Sequence, residues 1–107
     1  MPTREEIVRL TAELSKKAAD QGRLIELGWL SYRAMVISPN APQVQIDECW
    51  FAFMSGAQHL FGSIMAILDP GTEETEADLT KMDLINKELQ AFTKEVSLRI
   101  NSTKGSA

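Results

Sequence analysis

From Cys49 to Leu68 the chain reads CWFAFMSGAQHLFGSIMAIL, twenty residues without an Asp, Glu, Lys or Arg, with Asp47 and Glu48 before it and Asp69 after it. A helix apolar on most of its circumference must be covered by several neighbours or by lipid, so this stretch decides the architecture. Its length is close to the roughly twenty residues of a membrane-spanning helix. Ser55, Gln58, His59 and Ser63 interrupt it, however, and its flanks are acidic, with no Lys/Arg asymmetry to orient it in a bilayer. The expectation is therefore a core helix of a helical domain. The start of the chain, Met1-Pro2-Thr3-Arg4-Glu5-Glu6, runs straight into charged sequence with no apolar leader, so a cytoplasmic location is expected.

With 107 residues, 44% hydrophobic and 24% charged, the composition is that of one globular domain rather than a disordered chain. A net charge of −4 and the lack of a basic stripe point away from nucleic acid, whose binding rests on neutralising phosphates. The single cysteine, Cys49, lies beside Trp50 and Phe51 and reads as a reduced, packed thiol.

Outward from the central run, helix signals fill the chain. Thr3 and Glu6 form a capping-box pattern. The apolar series that follows is Ile7, Leu10, Leu14, Ala18, Gly22, Ile25, Trp29, Tyr32 and Val36, with steps of three and four that keep one helical phase. Gly22 costs about 1 kcal/mol inside a helix and is the one doubtful point. Arg23 is a poor N-cap, and no Ser, Thr, Asp or Asn follows Gly22 before the apolar series resumes, which favours a continuous helix over 3–37. Ala18 and Gly22 would then form a small-residue notch for a neighbouring helix. Ser38-Pro39-Asn40-Ala41-Pro42 breaks the chain, and a second helix is expected over 43–68, stopped by Asp69-Pro70-Gly71. Thr75 and Asp78 open a third over 75–100, with a stripe of Leu79, Met82, Ile85, Leu89, Phe92, Val96 and Ile100. The helical domain is expected over 1–100 and a flexible tail over 101–107.

The resulting fold class is an all-α, antiparallel three-helix bundle with a long first helix. A break at Gly22 would instead give a four-helix bundle. A first helix of about 35 residues would outrun its antiparallel neighbour by about eight or nine residues at its N-terminal end. That overhang holds Ile7, Val8 and Leu10, each worth about 1.5–3 kcal/mol when buried rather than exposed. A homodimer in which two first helices cover one another follows as the simplest arrangement. The aromatic residues Trp29, Trp50 and Phe51, with Met54, cannot all face one side of a helix and mark a second candidate interface near the short loop. The expected interface residues are thus Ile7, Val8, Leu10, Leu14, Trp29, Trp50, Phe51 and Met54.

No catalytic, cofactor-binding or metal-ligating set emerges. His59 is the only histidine and lacks ligand partners at helical spacing, so a structural role is expected for it. Cys49 has no base to make it a thiolate, since His59 is nearly three turns away on the same helix. Glu73, Glu74, Glu76 and Asp78 read as acids at a positive helix end, because no facing E-x-x-E completes a cage for magnesium. Arg23 and Arg33 are the only cations placed to face inward, and two arginines do not define a substrate pocket.

The segments Trp29-Leu30-Ser31-Tyr32-Arg33, Gly56-Ala57-Gln58-His59-Leu60-Phe61 and Leu68-Asp69-Pro70-Gly71-Thr72-Glu73 resemble short uncharacterised helical proteins of bacterial and prophage genomes. The resemblance implies no activity, and phage descent would suit a small regulatory or assembly role. A non-enzymatic protein–protein interaction module without cofactor is the expectation. An inhibitor of a larger cellular complex, a small helical enzyme and a holin-like membrane protein are the alternatives.

Overall fold

A computed structural model describes residues 1–105, with side chains described as far as Ile100. Among the described residues there are four helices and no strand: α1 (Arg4–Asp20), α2 (Leu24–Val36), α3 (Gln43–Ile67) and α4 (Glu76–Gly105). The all-α class agrees with the sequence, but the three-helix bundle with an unbroken first helix over 3–37 is corrected. Helix α4 also continues past Ile100 to Gly105, where a flexible tail was expected over 101–107; Ser106 and Ala107 lie outside the described residues.

The physical reason for the break is a C-cap. Gly22 adopts φ +72°, the left-handed region open to glycine at little cost. The amide of Arg23 donates to the Ala18 carbonyl at 2.7 Å and that of Gly22 to the Ala19 carbonyl at 3.0 Å. These two bonds are the Schellman pattern, which satisfies the last carbonyls of α1. Helix α2 then starts without a side-chain cap at Arg23. The Arg23 guanidinium grips Glu26 instead, with Nε and Nη2 each donating to a carboxylate oxygen at 2.9 Å. Hydrogen bonding, reinforced by the charge attraction, holds the Glu26 carboxyl below the usual carboxylate range. The start of α1 follows the sequence closely. Thr3 Oγ1 accepts from the Glu6 amide at 3.1 Å, and the Thr3 amide donates to Glu6 Oε2 at 3.3 Å.

The chain divides into two compact units, Met1–Ser63 and Ile64 onward. In the first, the buried apolar residues are Ala18, Trp29 and Ile37. Trp29 meets Phe53 with ring centroids 5.8 Å apart and Tyr32 at 6.2 Å, and Tyr32 meets Phe53 at 5.7 Å. Such offset and tilted ring pairs add about 0.5–1.5 kcal/mol each beyond the area they bury. Gly28 lets the two helices close on this cluster, because a Cβ there would lie only 3.3 Å from Phe53 Cζ. The connection through Ser38 and Pro42 is tied by the Ala41 amide donating to the Ser38 carbonyl at 3.0 Å.

In the second unit, the junction of α3 and α4 is a hydrogen-bonded clasp centred on Asp78, which is 5% exposed. Thr75 Oγ1 accepts from the Asp78 amide at 3.1 Å while Asp78 Oδ2 accepts from the Thr75 amide at 3.1 Å, a capping box with Asp in the third position. Asp78 Oδ1 also accepts from the Asp69 amide at 2.9 Å, and the Thr75 hydroxyl donates to Asp69 Oδ2 at 2.7 Å. Lys81 Nζ donates to the Ile67 carbonyl at 2.7 Å, closing the end of α3. The backbone amides of Asp69 and Thr75 hold the Asp78 carboxyl below its ordinary range. A carboxylate depressed in the folded state stabilises it fully above the unfolded pKa, about 3.9, and that contribution is lost as pH falls through the folded value. Asp78→Asn should therefore lower the melting temperature at neutral pH and flatten its decline below about pH 4. An unchanged acid limb in thermal scans of the variant would show that Asp78 carries none of it.

Candidate interaction surface

The exposed apolar residues, rather than a polar cleft, are what distinguish this chain. On α1, Ile7, Leu10 and Leu14 recur at steps of three and four, and with Val8 they are 50–61% exposed. The rod that was expected to carry them as an overhang is divided, so helix-length mismatch no longer explains their need for cover. The bend at Gly22 nevertheless does not fold them away. Leu10 and Leu14 at half exposure each leave about 1 kcal/mol of burial unrealised.

The aromatic candidates separate. Trp29 is buried within its unit, against Tyr32 and Phe53, whereas Trp50 is 47% and Phe51 67% exposed on the opening turns of α3 and Met54 is half-buried. Further exposed residues were not among the expected interface residues: Leu24, Ile25 and Leu30 on α2, Met35 and Val36 at its end, and Phe61 on α3. The signal was present in α2, where LIELGWLSYRAMV is apolar on more than one face. Helix α3 has the same character: Ile46, Cys49, Phe53, Met54 and Ala57 are half-buried and none of its residues is fully buried.

Two shallow clefts lie in the first unit. One of about 260 Å³ occupies the angle between α1 and α2, lined by Leu14, Lys17, Ala18, Gln21, Leu27 and Leu30 among others. Another of about 430 Å³ lies between α2 and the start of α3, lined by Leu30, Arg33, Ala34, Ile37, Pro39 and Ile46. Arg33 thus faces mainly apolar groups and Arg23 is spoken for by Glu26, so the two arginines do not converge. In the second unit a cleft of about 290 Å³ is bordered by Asp69, Glu73, Glu74 and Asp78, of which Asp78 is committed to the clasp. His59 is exposed on α3. Among the described residues no group of three or more His, Cys, Asp or Glu side chains could hold a metal ion, and no helix is long and apolar enough to cross a membrane.

No protein-family model, curated protein or solved structure matches this chain. What it does must be read from its own surface.

Proposed function

We propose that this protein is a non-enzymatic interaction module that associates with a second copy of itself, in a small regulatory or assembly role in the cytoplasm. The observation that carries this is the α1 stripe: Ile7, Leu10 and Leu14 lie on one face, at least half exposed, in a unit whose buried apolar residues are Ala18, Trp29 and Ile37. Two copies of one apolar stripe are self-complementary, so a two-fold contact covers both at once. Sedimentation velocity at micromolar concentration tests it. A species of twice the 11.9 kDa chain mass is expected, and a monomer up to tens of micromolar overturns it.

The exposed Trp50 and Phe51 support a second reading, docking of a different protein at the start of α3. Rigid aromatics are the side chains that most often anchor such contacts. Affinity capture with the wild-type chain, compared with Trp50→Ser/Phe51→Ser, should lose the partner in the variant.

A further inference from the structure

We infer that Gly22 is a two-state hinge, and that in its second state α1 straightens into line with α2 and lays its small-residue notch on α3. The inference stands apart from self-association. Three observations carry it.

The first is register. Trp29 meets Phe53, and Ala34 and Ile37 share a cleft with Ile46, so α2 and α3 run antiparallel, residue numbers falling on one as they rise on the other. Continued to the N-terminal side of α2, that register puts Gly22 opposite Leu60. Leu60 lies on the same face of α3 as Phe53, seven residues on by steps of four and three through Ala57. It is 41% exposed, on the far side of a half-buried Ala57.

The second is phase. The apolar series of α1 and α2 keeps one helical period through the break, so straightening would bring Ala18 and Gly22 onto the face that already carries Trp29. Small residues four apart are what a leucine needs for close approach.

The third is that what holds the bend is backbone and one small side chain, the two C-cap bonds to Ala18 and Ala19 and the burial of Ala18, with no side chain at position 22 required. Nothing lies within 4 Å of where a Gly22 Cβ would be, so only the backbone angle, and no neighbouring atom, requires glycine there. Helix α2 has no side-chain cap to lose, and the Arg23–Glu26 pair at i,i+3 spacing fits a continuous helix equally well.

Alanine at position 22 disfavours the left-handed angle and favours helix, so Gly22→Ala should shift the balance toward the straight state by at least about tenfold. Spin labels at Arg9→Cys and Ser31→Cys, in a Cys49→Ala chain diluted with unlabelled protein, read the state directly. Twenty-two residues of continuous helix separate them by about 33 Å, and the bend brings them closer. The Gly22→Ala chain should show the 33 Å separation as its main population. Gly22→Asn, which tolerates the left-handed angle, should keep the shorter one. An Ala variant that retains the short separation overturns the hinge. So does an Ala variant that loses its helical circular dichroism while the Asn variant keeps it, since a chain with a second folded state would have adopted it.

Discussion

Replacing Trp29 by alanine should destabilise the first unit by about 3–5 kcal/mol, the range for removing a large buried ring and leaving a cavity. Trp29 is 8% exposed and lies on both Phe53 and Tyr32, so the substitution removes the buried member of the ring cluster between α2 and α3 and leaves only the Tyr32–Phe53 pair of it. Small domains are stable by only about 5–15 kcal/mol, and this unit buries few other apolar side chains, so a loss of that size takes a large share of the total. Urea unfolding should show a midpoint lowered by at least about a fifth, at an unchanged slope. The control is Trp50→Ala. Trp50 is 47% exposed and should cost under about 1 kcal/mol, as surface changes do. Equal and small effects at the two tryptophans would mean that the aromatic cluster does not hold the helices together.

How far the fold was legible in the sequence depends on which physical signal each element rests on. The ends of α3 and the starts of α1 and α4 were legible because they are written in side chains: Thr3 with Glu6, Pro42 ahead of Gln43, Thr75 with Asp78. The division at Gly22 was not. Apolar phase is blind to it, because α2 resumes on the same period, and α2 carries no side-chain N-cap to mark its start. The stop is a backbone event on the other side of the gap, two amide bonds back to Ala18 and Ala19. The helix-initiating pattern at Thr75 and Asp78 was equally plain, but the amide of Asp69 reaching Asp78 depends on how the loop returns, which no local pattern encodes. For the candidate surface, Ile7, Leu10 and Leu14 were picked out by periodicity and Val8 by its place in the expected overhang; all four are exposed, although the overhang itself is absent. Trp29 could not be told from Trp50 in sequence, since both lie in apolar helical runs; the one that meets a facing ring is buried.

Leu10→Glu combined with Leu14→Glu should abolish self-association while leaving the subunit folded. Both positions are at least half exposed on α1, and Glu is as good a helix former as Leu, so helical content should not fall. In a two-fold contact the pair of substitutions removes four leucines, each with about 1 kcal/mol of burial still to be gained, or about 4 kcal/mol in all. That corresponds to a dissociation constant weakened about a thousandfold, and burying carboxylates against apolar groups adds to it. Lysine at both positions should act alike, which separates lost apolar burial from simple charge repulsion on a chain of net charge −4. Wild-type and variant chains compared by sedimentation across a concentration series give the result. A dimer that survives both pairs of substitutions would place the contact elsewhere, with the exposed Trp50 and Phe51 as the next residues to change.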